Sequence, residues 1–183
     1  MYAKPAGREV LQNEEVCLIR YKTVPGDTQK NWVESDFYHI CLPDKHFLLG
    51  YKVAGYCDLR FGYNRQLYFG GNIGYRVEEP FRGHHLAEKA TRLLLEKAKE
   101  AGMPYVIITC NPDNLPSRRT LERLGGDLLE IVDLPPDNDM YQRGERQKCI
   151  FHYPLQEGAV RMLLADSEHE SFPEPELFVP RAE

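Results

Sequence analysis

The chain has 183 residues, with 23 Lys and Arg against 28 Asp and Glu and a formal net charge of −5. That is one domain's worth of chain, long enough to bury roughly two-thirds of its unfolded surface. Net acidity, with no basic stripe interleaved with aromatic residues, argues against a general nucleic-acid binder. No apolar run approaches the roughly 20 residues of a membrane span, and Met1 to Leu11 holds no apolar signal segment. The five cysteines, Cys17, Cys41, Cys57, Cys110 and Cys149, are odd in number and sit mostly in strand-like apolar runs. They read as reduced core residues, and the expected location is the cytoplasm.

In chain order, Val16 to Tyr21 predicts a first strand, Pro25-Gly26-Asp27 a turn, and Gln29 to Ser35 a short helix carrying Trp32. Phe37 to Leu42 reads as a strand, Pro43-Asp44-Lys45 as a hairpin turn, and Val53 to Phe61 as the next strand. In that strand Ala54, Tyr56, Asp58 and Arg60 alternate with Gly55, Cys57, Leu59 and Phe61. Leu67 to Val77 reads as one long strand whose Gly70, Gly71 and Gly74 suggest a bulge or a close backbone approach. Leu86, Ala87, Ala90, Leu93, Leu94, Ala98 and Ala101 recur at helical steps, predicting an amphipathic helix capped by Gly102 and barred from resuming by Pro104. Tyr105 to Cys110 is a strand buried on both faces. A helix begins near Asn114, a strand runs from Leu128 to Leu134, and Pro135 to Asp139 is a loop. Asp139 to Arg146 is a charged connection, and Lys148 to Tyr153 is the last strand. The tail from 156 to 183 is acidic, carries Pro173, Pro175 and Pro180, and reads as an arm packed on a neighbour or disordered.

The stretch from Ile73 to Gly102 organises the rest: a strand, a short turn through Arg82 and Gly83, and a helix whose first N–H groups point back at the strand's end. Those N–H groups lack intrahelical acceptors and carry the positive end of the macrodipole, so the turn is an anion site suited to phosphate. Arg82 adds a forked donor, and Gly83 lets backbone approach a ligand. The adjacent pair His84-His85 is a poor metal site, because neighbouring helical residues point about 100° apart.

Arg82-Gly83-His84-His85-Leu86-Ala87 resembles the acyl-CoA pyrophosphate signature of the GNAT acetyltransferase superfamily, Arg/Gln-x-x-Gly-x-Gly/Ala. Arg82 and Ala87 match, and His85 stands where the family has its central Gly. A side chain there either crowds the pyrophosphate or lies in helical conformation and adds a donor. A second block, Asn111 to Gly126, is similar to the family's Asn-x-x-Ser…Lys-x-Gly-Phe helix through Asn114, Ser117, Arg123 and Gly125, with Gly126 replacing Phe. The likeness spans roughly residues 15 to 155 and is nearest in style to the ribosomal-protein N-acetyltransferase branch.

The resemblance implies an α/β (α+β) fold, with a mixed, mostly antiparallel central sheet of six to seven strands flanked by helices. It also implies a single domain over 1–155, followed by the arm over 156–183. Acetyl-CoA is then the cosubstrate, without a metal, and the acceptor is a primary amine on a small molecule or a protein. The cofactor-binding set it implies is Tyr75, Val77, Arg82, Gly83, His84, His85, Leu86, Ala87, Asn114, Ser117 and Arg118. The segment around Trp32 would cover the acceptor side, and the strand ending at Val77 would splay from its neighbour and bond the pantetheine.

Acyl transfer to an amine needs a neutral nitrogen, donors for the acyl oxygen and a proton for the leaving thiolate. The N–H groups around Tyr75 to Val77 are the expected oxygen donors. Glu78 and Glu79 are candidate bases at the strand end, with Asp58 as a further one. Leu121 occupies the place where many relatives have a donor Tyr, so Ser117, His84, Tyr75 or Tyr141 would serve, or a thiol with a pKa of about 8.5 leaves unaided. The candidate catalytic set is Glu78, Glu79, Ser117 and Tyr75. A non-catalytic CoA-binding sensor or structural protein is the alternative, prompted by His85 and Leu121. The acidic arm leaves a homodimer open.

Overall fold

Period-two alternation carries the N-terminal third of the chain into strands. The computed structural model describes residues 9–43 and 50–156. It orders β1 (Val10–Gln12), β2 (Cys17–Val24), β3 (Glu34–Pro43), β4 (Tyr51–Phe61) and β5 (Ile73–Val77) as one five-stranded ladder. The helices among the described residues are α1 (Arg65–Gly70), α2 (Leu86–Glu100), α3 (Leu115–Arg123) and α4 (Asp139–Gln142). The strands β6 (Tyr105–Cys110), β7 (Asp127–Asp133) and β8 (Gln147–Pro154) form a second ladder in the order β6-β8-β7. The expected α/β fold of antiparallel strands flanked by helices is present, with eight strands in two ladders among the described residues rather than six or seven in one sheet. The expected strand, turn, helix, strand sequence is β5, α2, β6, with β5 and β6 in separate ladders. The chain divides into two compact units, Met1–Arg60 with Ile73–Lys97, and Phe61–Asn72 with Ala98–Glu183.

In the first unit, β1–β2, β2–β3 and β4–β5 pair antiparallel. Leu18, Ile40, Ala54, Leu59 and Ile73 of the strands are buried, as are Leu86, Ala90, Leu93 and Leu94 of α2. Each large side chain so buried contributes about 1.5–3 kcal/mol. Charged contacts tie α2 to the chain start, with Lys89 Nζ donating to Glu15 Oε1 at 2.6 Å and Lys97 Nζ to Glu9 Oε1 at 2.6 Å. Glu9 also accepts from the Tyr38 hydroxyl at 2.8 Å and faces Arg20 at 3.3 Å. Burial acts to raise the Glu9 carboxyl, but Lys97, Tyr38 and Arg20 together outweigh it and hold it below the ordinary value. A carboxylate depressed in the folded state contributes stability above its unfolded pKa of about 4.3, lost as pH falls through the folded value. Glu9→Gln is therefore expected to lower stability by about 1–2 kcal/mol at neutral pH, given a half-exposed group. The deficit should vanish under acid, as urea midpoints measured above and below that range will show.

Three expectations for this unit change. β1 precedes the first expected strand, which itself extends to Val24. The helix expected over Gln29 to Ser35 is one 3-10 turn, Thr28–Lys30, because Asp27 caps it by accepting from the Gln29 and Lys30 N–H groups. Asn31 stops it at φ +54°, and Trp32 returns to pair with Asp27 through two 2.9 Å backbone bonds. Trp32 is consequently 52% exposed. The hairpin turn expected at Pro43-Asp44-Lys45 lies mostly outside the described residues, as does the tail beyond Gln156.

In the second unit the long strand expected from Leu67 is replaced at its start by α1. Asn64 caps that helix by accepting from Leu67 N–H at 2.8 Å, and Gly71 ends it at φ +75°. Gly70 and Gly71 therefore mark a helix end and not a bulge, and Gly71 makes the close backbone approach, since a Cβ there would meet Ile107 O and Thr109 N at 3.2 Å. Asn72 then crosslinks to the second ladder. It donates from its backbone N–H to Ile107 O at 2.6 Å, and its side-chain oxygen accepts from Ile107 N–H at 2.9 Å. β6 pairs antiparallel with β8, and β8 with β7.

The glycine in place of Phe at 126 has a tertiary reason. A Cβ there would meet the Tyr153 ring, with Oη at 2.5 Å, and that hydroxyl donates to Leu121 O at 2.8 Å. The aromatic volume comes from β8 instead of from the helix end. Gly126→Ala is expected to cost about 1–3 kcal/mol by overpacking, read as a lower urea midpoint.

Candidate active site

β5 stands at the end of the five-stranded order, so one of its edges has no further strand of that ladder. Its register sets Gly55 opposite Val77, Cys57 opposite Tyr75 and Asp58 opposite Gly74. Glu78 N–H donates to Ala54 O at 2.9 Å just past the ladder. A 3-10 turn over Glu79–Phe81 follows, where Pro80 fits because its missing N–H is not needed. Phe81 N–H reaches Glu78 O at 2.9 Å and Arg82 N–H reaches Glu79 O at 3.2 Å. Gly83 lies at φ +85°, a region glycine enters without cost. His85 O then accepts from Lys89 N–H at 3.0 Å, opening α2.

Arg82 is exposed, and its Nε donates to Val77 O at 3.1 Å. That bond fixes the guanidinium against the strand end and keeps its terminal N–H groups for another acceptor. His85 is not in the helical conformation that was one alternative for it. It lies at φ +56°, left-handed, with Nδ1 3.6 Å from Glu88 Oε2. Glu88 is also held by Arg92 at 3.0 Å. The position thus requires what glycine supplies, and His85 meets the requirement under strain of order 1 kcal/mol. His85→Gly should raise stability by up to about 1 kcal/mol, after the entropy that glycine adds to the unfolded chain. A lower urea midpoint for this variant would contradict that account.

Glu78 and Glu79 sit where expected, at the end of β5. Glu78 Oε1 is 3.7 Å from Arg76 Nε, both side chains well exposed. Asp58 is less exposed, and its Oδ1 lies 2.6 Å from where a Cβ on Gly74 would stand. Gly74 therefore serves close approach, by a carboxylate rather than by backbone. Arg60 Nε is 2.8 Å from Asp58 Oδ2, an ion pair in which Oδ2 is buried and forms no well-aligned hydrogen bond. Burial pushes the Asp58 carboxyl up, against the pull of the Arg60 charge and hydrogen bond.

The first unit therefore brings together Tyr75, Val77, Glu78, Glu79, Arg82, Gly83, His84, His85, Leu86 and Ala87, with Asp58 one strand away. Asn114, Ser117 and Arg118 belong to the second unit, at the start of α3. Asn114 Oδ1 accepts from Ser117 N–H at 3.2 Å, the cap that residue type favours. Arg118 Nε donates to Glu122 Oε1 at 3.1 Å. In the same unit the Tyr141 ring lies 4.2 Å from the Arg146 guanidinium. Leu121 is fully buried. Sequence reasoning missed Tyr21, His39 and Tyr56, which gather beside Asp58. The Tyr56-x-Asp58-x-Arg60 alternation was the available signal. Among the described residues no group of three or more His, Cys, Asp or Glu side chains is placed to hold a metal, and no helix is long and apolar enough to cross a membrane.

Residues 8–127 match the acetyltransferase (GNAT) domain. Among solved structures, the ribosomal L7/L12 alpha-N-protein acetyltransferase RimL, in its apo crystal form I, is 14% identical. The match covers 82% of this chain and 98% of that one, with a TM-score of 0.55. The ribosomal-protein-S5-alanine acetyltransferase from Vibrio fischeri is 13% identical over 67% of this chain and 63% of its own, with a TM-score of 0.51. The microcin C7 self-immunity acetyltransferase MccE, in complex with acetyl-CoA and AMP, is 19% identical over 66% of this chain and 61% of its own, with a TM-score of 0.50. The chain thus spans about three-fifths of the MccE chain it resembles. At these identities the likeness is one of fold. No curated protein matches.

Proposed function

Because the chain belongs to the GNAT acetyltransferase family through residues 8–127, we propose that it transfers an acetyl group from acetyl-CoA to a primary amine by direct attack. The observation that carries this reading is the joint of β5 to α2. An exposed arginine clamped to Val77 O, a glycine at φ +85° and a helix start follow each other within one turn, which is the equipment a pyrophosphate needs. Acetyl-CoA supplies an activated thioester. Arg82, Gly83, His84, His85, Leu86 and Ala87 hold its diphosphate, and the N–H groups of Tyr75 to Val77 receive the acyl oxygen. Asn114, Ser117 and Arg118 are proposed as further cofactor contacts. Glu78 and Glu79 are exposed carboxylates at the strand end, able to relay the amine's proton to solvent. With Leu121 buried, no acid stands at that position of α3, and the thiolate leaves with the proton shed by nitrogen.

Calorimetric titration with acetyl-CoA and with CoA, followed by thiol release over an amine panel, tests the reading. Binding of both in the micromolar range with turnover on at least one amine is expected. Binding without turnover on any amine would favour the sensor, and the absence of binding would remove the function altogether.

A further inference from the structure

The face of the first unit that bears Asp58 also bears three rings in mutual contact. Tyr21 stacks on His39 at 4.4 Å and 16°. Tyr56 stands edge-on to both, 6.5 Å from Tyr21 and 5.4 Å from His39. Tyr21 arrives there through a β-bulge: Arg20 pairs with Tyr38 and Lys22 with Phe37, so Tyr21 has no partner in the β2–β3 register. A bulge of this kind re-aims a side chain, and bulges gather next to active sites. The rings are not hidden, with Tyr21 40% and Tyr56 43% exposed.

Asp58 follows Tyr56 by two residues and so shares its face of β4. Burial raises the Tyr21 hydroxyl pKa, and the Asp58 charge adds to that effect. Gly74 opposite leaves room for the carboxylate, whose Oδ2 pairs with Arg60 Nε at 2.8 Å. Part-exposed rings around a mostly buried carboxylate suit a cation: the π systems attract it, and the carboxylate gives it a hydrogen-bond acceptor. A neutral or anionic ligand would gain from neither.

We propose that Tyr21, His39 and Tyr56 seat the ammonium-bearing end of the acceptor, that Asp58 receives its proton, and that the acceptor class is a primary alkylammonium with apolar carbon next to nitrogen. This rests on the acetyl-transfer reading. The step balances: the ammonium gives one proton to the Asp58 carboxylate, in place of Glu78 or Glu79, and the nitrogen lone pair forms the C–N bond. The C–S bond breaks with its electron pair on sulfur, and the second N–H proton passes to that thiolate. Asp58 returns its proton to solvent.

Ligand-detected NMR with 2-phenylethylammonium and its uncharged counterpart 2-phenylethanol tests the seat without turnover. Wild type should prefer the charged probe at least tenfold. Asp58→Asn, nearly isosteric, should abolish the preference while urea unfolding stays cooperative, and Tyr56→Ala should weaken the charged probe about fivefold. Acetyl-CoA affinity should not change in either variant, while Asp58→Asn lowers amine-dependent thiol release by roughly a hundredfold or more. Equal binding of the two probes by wild type, or a preference that survives Asp58→Asn, overturns the proposal. Thiol release unaffected by Asp58→Asn overturns its proton role. If wild type prefers the charged probe but binds no acetyl-CoA, the acetyl-transfer reading and the proton role fall together, while the ammonium seat stands.

Discussion

Arg82→Ala should weaken acetyl-CoA binding by about 1.5–3 kcal/mol, a roughly ten- to hundredfold rise in Kd, with little change in the urea midpoint. The two halves of that expectation have separate physical causes. The guanidinium is exposed, and its Nε bond to Val77 O at 3.1 Å is itself exposed, so its loss costs folding little. Toward a diphosphate, the same bond acts as a hinge pin that orients the terminal N–H groups and spares part of the side-chain entropy that binding must otherwise take up. Arg82→Lys keeps the charge and loses the fork, and should recover only part of the affinity. Unchanged affinity in Arg82→Ala would remove the turn from the binding site.

How much of this was legible in the sequence depended on how local each cause was. The end of α2 was legible because its signals are local: Gly102 takes φ +84° and Met103 N–H bonds back to Ala98 O at 3.0 Å, as a helix stopping at a glycine before a proline must. The Asn114 cap and the buried run of β6 were legible for the same reason. α1 was not. Six residues are too few for a helical period to show, and Leu67, Tyr68 and Phe69 have the composition of a strand. Its caps, Asn64 and Gly71, are present, but with no helical period between them Gly71 reads as a bulge or close approach within a strand. Other features have causes distant in sequence. Gly126 is small because Tyr153 arrives from β8, and Tyr21 turns onto the Asp58 face because one residue too many lies in β2. The helical alternative for His85 missed the left-handed backbone, although the family's glycine at that place was the clue.

Gly55→Ala should be the most damaging single methyl in the first unit, at about 3 kcal/mol. In a chain of this length that is a fall in Tm of roughly 6–12 °C. An added Cβ would press on the Arg76 carbonyl oxygen far inside contact distance, with Val77 Cα at 3.1 Å and Arg76 C at 3.2 Å. All three atoms are backbone, so no side chain can swing away, and β4 and β5 must part. The bond from Glu78 N–H to Ala54 O, at 2.9 Å, is next to that contact and should break with it. Val77 O, which anchors Arg82, moves as well, so acetyl-CoA affinity should fall with stability. Gly83→Ala separates the two causes: among the described residues no atom beyond its chain neighbours lies within 4 Å of the added Cβ, but φ is +85°, so it should carry only backbone strain of order 1 kcal/mol. Thermal unfolding and acetyl-CoA titration of the pair give the answer. Equal Tm values for Gly55→Ala and wild type would mean that the β4–β5 seam yields where a paired backbone should not, and the link from seam to binding turn would go with it.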